Sequence, residues 1–181
     1  MRNRIVAFSI AAAVIAAAAC GSDTTTPPVS KIVNFTATMN PAGEVGANLN
    51  NNPSGSGTFT ATLDTSTNVF TWSFTFQGMT TNVTLGHIHG PYVLGGGTNS
   101  AGVILNFDPA TNTPGATNVT FIKGGLTGSG GGTITLSGTQ LINATVSADS
   151  LRKLLLAGNV YVNIHTTANG GGEIRGQITK K

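Results

Sequence analysis

Two histidines stand one residue apart in the segment LGHIHGP, in a chain that contains only three. Side chains at positions i and i+2 of a β-strand point to the same side, so His87 and His89 would share one face. Neutral imidazole is a common ligand for zinc and copper. A third imidazole, from His165 on a neighbouring strand, would complete a three-nitrogen metal site. An open coordination position would then permit Lewis-acid or redox chemistry.

The same histidines have a structural interpretation, which the residues alone leave open. Their rings would then hydrogen-bond to Glu173, to Asn163 or to backbone carbonyls and hold loops in place. The distances between the rings separate the two interpretations. Ring nitrogens about 3–4 Å apart would fit a shared ion, and much larger separations would favour the structural role.

The strands that carry these histidines alternate between apolar and polar side chains. We expect the polar faces of NVYVNIHT and GEIRGQI to point outward, with Tyr161, Asn163, His165, Glu173, Arg175 and Gln177. All three histidines should therefore emerge on the polar side of a sheet. Val83 and Leu85 share the parity of the first two histidines, so the pattern requires a bulge or a change of exposure near Gly86.

Short alternating runs recur along the rest of the chain and predict strands over residues 31–39, 57–63, 69–76, 83–89, 102–107, 132–137, 160–166 and 173–179. The turn DTSTN predicts a hairpin between the second and third runs. One short helix is expected between Ser147 as N-cap and Gly158 as stop. Residues 48–57 and 124–132 are expected to be loops because they are rich in Gly, Asn and Ser. The predicted fold class is all-β: an antiparallel Greek-key or immunoglobulin-like β-sandwich, or a barrel, with one short helix.

Charged residues make up 8% of the chain, against roughly 25% in an average globular protein, while hydrophobic residues make up 39%. This composition excludes the charge-rich, apolar-poor type of disordered chain. The net charge of +3 includes Arg2 and Arg4, which lie in a segment expected to be removed. The remaining basic residues form no cluster, which argues against nucleic acid as a partner.

Residues 1–19 have a basic start and an apolar run, as in an export signal. The following AAAC resembles a bacterial lipoprotein signal, in which the thiol of Cys20 carries the lipid. Acyl chains there would anchor the protein to a membrane surface, with residues 20–30 as a flexible tether. Gly21 stands where an inner-membrane retention signal would have Asp. We therefore expect an exported protein at the cell envelope, on the outer membrane or cell surface if the cell has two membranes.

The segments LGHIHGP, AGVILNF, SADSLRKLLLAG and NVYVNIHTTANGGGEIRGQI together resemble the CHRD domain, named for chordin. The resemblance spans residues 31–179, so the predicted domain is 31–181. Its most specific part is the closing block from Tyr161 to Gln177. It implies an all-β, immunoglobulin-like or barrel-like domain of an exported bacterial protein.

The order His87, His89, His165, Arg175 is also similar to that of copper/zinc superoxide dismutase, a Greek-key sandwich whose His-x-His strand and later histidine bind copper. The chain lacks that family's bridging histidine, further zinc ligands and disulfide. The resemblance therefore implies a mononuclear copper site, with zinc less favoured. The side chains expected around the site are Arg175, Glu173, Asn163 and Tyr92.

Two function classes follow. The first, which we favour, is a non-catalytic binding or structural module with an unspecified protein or glycan ligand, because the carboxylates lie in separate segments and no nucleophile–base pair stands out. The second is a copper-binding protein or copper oxidoreductase centred on the three histidines. Tyr92, in the glycine-rich stretch PYVLGGG, is a candidate ring for glycan contact, whereas the spacing around Trp72 predicts a core residue.

Replacing Cys20 should abolish lipid attachment, because no other cysteine can form the thioether. The wild-type chain should incorporate radiolabelled palmitate in a bacterial host and enter the detergent phase in a partition assay. The Cys20→Ser chain should do neither, while Gly21→Ala, which keeps the thiol, should behave like wild type. Wild-type protein without label would contradict lipidation.

Overall fold

The computed structural model describes residues 31–45, 49–92, 101–111, 113–140 and 142–181, and it contains two antiparallel sheets on either side of one core. The first sheet comprises β1 (Ile32–Met39), β2 (Ser56–Asp64), β3 (Val69–Gln77), β6 (Thr117–Phe121), β7 (Gly128–Thr135) and β10 (Thr179–Lys180), in the spatial order β10-β1-β2-β3-β7-β6. The second comprises β4 (Val83–His89), β5 (Val103–Asn106), β8 (Tyr161–Thr166) and β9 (Ile174–Gln177), in the order β5-β4-β8-β9. The prediction of an all-β sandwich is confirmed, and the described strands do not close into the alternative barrel.

The core is filled by alternate residues of the strands, as period-two patterning requires. Trp72 is 2% exposed, which confirms its predicted place in the core. Phe107, which follows β5 of the second sheet, stacks on Phe74 of β3 with ring centroids 4.6 Å apart. The predicted hairpin between β2 and β3 is also present. Oδ1 of Asp64 closes it by accepting hydrogen bonds from the backbone N–H of Ser66 at 2.8 Å and from its hydroxyl at 2.6 Å.

The glycine-rich stretch 124–132 was predicted to be a loop, but its second half is the start of β7, which pairs with β3 and β6. The glycines of this strand face the aromatic rings of β3. A Cβ atom on Gly130 would lie 2.4 Å from Cζ of Phe74, and one on Gly132 would lie 2.4 Å from Cζ2 of Trp72. The absence of side chains therefore makes room for large rings across the sheet. The strand β6, at the edge beside it, was not among the predicted strands.

The single predicted helix is confirmed as α1 (Ala148–Ala157). Ser147 is its N-cap and accepts a hydrogen bond from a backbone N–H of the first turn. Gly158 ends it with φ of 72°, in the left-handed region that favours glycine. Leu151 and Leu155 are fully buried and fix the helix to the core. Within the described ranges, no helix has the length and apolar character needed to cross a membrane.

The polar face of the second sheet is buried around the histidines, so the prediction that these polar side chains point outward is wrong. All six residues of β8 are buried, and so are Glu173 and Arg175. Part of the cover is the segment that follows β1. Asn40 exchanges two backbone hydrogen bonds with Arg175, at 3.2 and 3.1 Å. The 3-10 turn Pro41–Gly43 then brings Glu44 against the polar face.

The irregular alternation in β4 is explained by a bulge, which lies between Val83 and Leu85 rather than at Gly86. Val83 is fully buried in the core, whereas Leu85 is 38% exposed. Gly86 faces the core, where an added Cβ would lie 2.9 Å from Cδ1 of Ile164. The two histidines that follow therefore keep to the face opposite the core.

Substituting Gly130 by Ala should destabilise the fold by about 1–3 kcal/mol, because the new methyl group must displace a packed ring and the nearby backbone oxygen of Thr120. Urea denaturation followed by tryptophan fluorescence measures the effect. Gly171→Ala is the matched control, since nothing lies within 4 Å of its added Cβ. Its free energy of unfolding should stay within about 0.5 kcal/mol of wild type. Equal midpoints for the two variants would contradict the packing argument.

Candidate metal centre

The three histidines lie on adjacent antiparallel strands, because β4 carries His87 and His89 and β8 carries His165. Nδ1 of His87 lies 3.1 Å from Nε2 of His165. One ring nitrogen from each of the three lies within 4.8 Å of the others. The spacing of the first pair fits two nitrogens on one ion and also fits a hydrogen bond from Nδ1 of His87 to Nε2 of His165. The third nitrogen is close to this pair. The structure thus brings the three predicted ligand residues together at one point of the sheet.

Backbone carbonyls fix the protonation pattern of two of these rings. Nδ1–H of His89 donates to the carbonyl of Ala101 at 2.8 Å, and Nδ1–H of His165 donates to the carbonyl of Gly170 at 2.9 Å. A neutral imidazole has one N–H, so both Nε2 atoms carry lone pairs. Metal-bound histidines commonly hold the other ring nitrogen in this way. Nε2 of His89 is buried and has no hydrogen-bond partner.

The rings are 6–7% exposed, and this burial governs their protonation. Burial lowers the pKa of His87 to about 3, and the neighbouring His165 and His89 add to the effect. Burial also lowers the pKa of His89 to about 4, although the hydrogen bond to Ala101 partly offsets the shift. The pKa of His165 is lowered for the same main reason. All three imidazoles are therefore neutral at pH 7, which is the form that binds metals.

An aromatic stack supports His89 from the neighbouring strand. The ring of Tyr161 lies parallel to the imidazole, at 1° and 4.9 Å between centroids. The backbone N–H of Ala101 donates to the Tyr161 hydroxyl at 3.2 Å, so the same residue that fixes the His89 tautomer also fixes this tyrosine. The guanidinium of Arg175 lies over the Tyr161 ring, 3.3 Å from its centroid, and 4.3 Å from the centroid of Tyr92. Because β8 lies between β4 and β9, Tyr161 separates Arg175 from His89.

A second polar group adjoins the histidines and consists of Asn163, Glu44 and Arg175. In register, Asn163 lies opposite His87 on one side and Arg175 on the other. Burial raises the pKa of Glu44 to about 7, while the guanidinium of Arg175 and a hydrogen bond from Asn163 act in the opposite direction. Oε1 of Glu44, Oδ1 of Asn163 and Nη2 of Arg175 are all buried without a hydrogen-bond partner.

Glu173, predicted to surround the site, instead holds the turn that connects β8 to β9. Its carboxylate accepts hydrogen bonds from the backbone N–H of Thr80 at 2.7 Å, the hydroxyl of Thr166 at 2.6 Å and the amide of Asn169 at 3.1 Å. The turn includes Gly170, whose carbonyl holds His165. Glu173 therefore stabilises the backbone that orients a histidine, without contacting the imidazoles itself.

Sequence reasoning missed Glu44, Ala101 and Gly170, which position the predicted residues. Glu44 follows a turn outside any alternating strand, so periodicity gives no sign of its place over the second sheet. Ala101 and Gly170 act through backbone carbonyls, which every residue type has. The only available signal for Glu44 was that carboxylates are scarce in this chain, with six Asp and Glu in all.

Two facing antiparallel sheets with a buried cluster of three imidazoles define a β-sandwich domain with a candidate metal centre. Comparison with known families adds the assignment: the model of the CHRD domain matches residues 35–178, and the protein belongs to the CHRD family. No curated protein and no solved structure matches the chain. The similarities to bacterial lipoproteins and to copper/zinc superoxide dismutase stay predictions.

Acidification from pH 6.5 to pH 5 should destabilise the metal-free protein. The pKa values of His87 and His89 are lower in the folded state than the ordinary 6.5, so the unfolded chain takes up protons first and stability falls with pH. Each of these two histidines lowers the free energy of unfolding by up to about 2 kcal/mol over this interval, at about 1.36 kcal/mol per pH unit. Glu44 acts in the opposite direction. Its pKa is raised in the folded state, so the folded protein takes up this proton first and is stabilised by acidification. Urea midpoints at the two pH values measure the net effect.

Glu44→Gln removes the opposing group and should make the pH dependence steeper. His87→Gln removes one of the imidazoles and should make it shallower. A wild-type midpoint that is the same at both pH values, or higher at pH 5, would contradict the buried, neutral state of the histidines.

Proposed function

We propose that this CHRD domain is a copper-binding module of the cell envelope, with His87, His89 and His165 as ligands and no catalytic role. The observation that carries the proposal is the convergence of three ring nitrogens, two of them presented as lone pairs by bonds to backbone carbonyls. The alternative role, in which the rings only hold loops, explains those backbone bonds. It leaves Nε2 of His89 buried without a partner, at a cost that native structures generally avoid.

Copper is proposed because of the ligand types and the affinity order of divalent metals. Imidazole nitrogen suits copper and zinc, and copper(II) binds a given nitrogen site more tightly than the other first-row divalent ions. The carboxylate of Glu173 is committed to the turn beside Thr166 and Asn169. Among the His, Cys, Asp and Glu side chains of the described ranges, the cluster contains only the three histidines, and nitrogen ligands favour copper over the harder ions bound by oxygen.

A non-catalytic role is supported by the burial of the centre. The three histidines and Asn163 are each at most 7% exposed, so an ion held there has little direct access to solvent. A module that holds copper without turning over a substrate would serve storage, transfer or stabilisation of the domain. The CHRD assignment agrees with a module rather than an enzyme.

The location at the envelope rests on the sequence, since Cys20 and the tether 20–30 lie outside the described residues. The domain begins with β1 at Ile32, close behind that tether, which agrees with a globular unit held near a lipid anchor. We propose export, lipid attachment at Cys20, and residence on the outer membrane or cell surface where the cell has two membranes. The proposed partners are the membrane and copper, with no nucleic acid.

The full-length chain, purified in detergent, should bind one copper(II) ion per molecule in a titration with metal analysis after dialysis. His87→Gln, His89→Gln and His165→Gln should each weaken copper binding by at least about 100-fold, because each removes a direct ligand. Leu85→Ala is the matched control, because it alters an exposed side chain of the same strand and leaves all three imidazoles.

Circular dichroism confirms that each variant is folded before its affinity is compared. Wild-type protein that retains no copper, or histidine variants that retain as much as Leu85→Ala, would contradict the proposed function. Tighter retention of zinc than of copper in a competition would contradict the choice of metal alone.

A further inference from the structure

Four buried polar atoms without hydrogen-bond partners belong to side chains that interact with one another: Oε1 of Glu44, Nε2 of His89, Oδ1 of Asn163 and Nη2 of Arg175. The described residues contain only two other such atoms, on Trp72 and Arg152. Buried polar groups in native proteins are almost always satisfied. Their concentration beside the three imidazoles indicates that the group is completed by something that binds there.

Asn163 holds the central place in this group. It lies on the same face of β8 as His165, two residues away, and its backbone is paired with His87 on β4. Its side chain is 2% exposed. The side-chain oxygen of Asn163 can therefore lie beside the convergent ring nitrogens with the strands paired as they are.

The orientation of the Asn163 amide follows from its surroundings. A Cβ added to Gly172 would lie 2.8 Å from Nδ2 of Asn163 and 2.3 Å from Oε1 of Glu44, so the amide nitrogen lies beside the Glu44 carboxyl group. Gly172 belongs to the turn between β8 and β9, whereas the histidines of β4 lie on the other side of β8. The amide oxygen, which is buried without a partner, is therefore on the side of the histidines.

Oδ1 of Asn163 and Nε2 of His89 are both buried and receive no hydrogen bond. The only proton of the neutral imidazole is committed to the carbonyl of Ala101. The protons of the amide are on its nitrogen, which faces Glu44. Neither atom has a hydrogen to offer, and a cation between them satisfies both.

We propose that Oδ1 of Asn163 is the fourth ligand of the ion held by the three histidines, and that Glu44 is the positioning residue for this amide. The inference rests on the proposed function and deepens it. Three nitrogens and one oxygen from the protein fill four coordination positions. Catalytic sites keep one position for water or substrate, whereas closed sites do not. The centre therefore holds its ion away from exogenous ligands.

The experiment uses the full-length chain loaded with copper(II), with azide as the exogenous ligand. Wild-type protein should show no azide-to-copper charge-transfer band at azide concentrations that give a full band with Asn163→Ala. The copper affinity of Asn163→Ala, measured by competition with a chelator, should fall about 10–100-fold. Asn163→Asp keeps an oxygen at this position and should still exclude azide.

Two variants of Glu44 test the positioning role without touching a ligand. Glu44→Ala removes the acceptor for the amide nitrogen, so azide should gain access and the electron paramagnetic resonance spectrum of copper should change. Glu44→Gln keeps an acceptor oxygen and should restore the wild-type spectrum. If Asn163→Ala does not fold, the comparison of Glu44→Ala with Glu44→Gln still tests whether the amide oxygen closes the site.

Wild-type protein that binds both copper and azide as readily as Asn163→Ala would overturn the inference while leaving the three-histidine site intact. Water, which can donate to both lone pairs, would then occupy the position. Wild-type protein that binds no copper would instead overturn the proposed function and this inference with it. Identical spectra for Glu44→Ala and Glu44→Gln would overturn the role of Glu44.

Discussion

The register between β4 and β8 is the constraint on which the candidate centre depends. Antiparallel pairing places Leu85 opposite His165 and His87 opposite Asn163. The polar side chains of His87, Asn163 and His165 therefore meet on one face. A shift by one residue would send every one of these side chains into the core. Two features of β4 secure this register: the bulge between Val83 and Leu85, and the core-facing Gly86. They allow the strand to begin with an apolar residue in the core and to end with two histidines on the opposite face.

The polar face is buried, and its groups must therefore be satisfied inside the protein. The surrounding segments meet this requirement with backbone atoms. Ala101 holds both His89 and Tyr161, and Gly170 holds His165 on a turn that Glu173 stabilises. Of the six buried polar atoms left without a partner in the described residues, four belong to Glu44, His89, Asn163 and Arg175, beside or within the histidine cluster. A buried, neutral set of imidazoles, two of them with tautomers fixed by backbone carbonyls, is preorganised for a metal ion, since little reorientation or deprotonation is needed.

Much of the fold was predictable because it follows from local rules. Alternation of apolar and polar residues indicated most strands, and the turn at Asp64 and the caps at Ser147 and Gly158 marked ends that the structure confirms. The glycine strand β7 was not predictable, since its glycines are explained only by the rings of β3 across the sheet. Burial of the histidine face was likewise not predictable. The pairing of Asn40 with Arg175, two residues 135 positions apart, brings one covering segment to this sheet, and no local pattern encodes that contact.

The predicted ligands came together because they share strand parity, which the sequence does show. The atoms that support these ligands are backbone carbonyls and a carboxylate from a distant turn, and no sequence pattern indicates where they lie. The most direct test of the account is X-ray absorption spectroscopy at the copper edge on the copper-loaded full-length chain. We expect scattering from three imidazole rings, with nitrogens at about 2.0–2.1 Å from the metal. A first shell made only of oxygen, without imidazole scattering, would contradict a shared three-histidine centre.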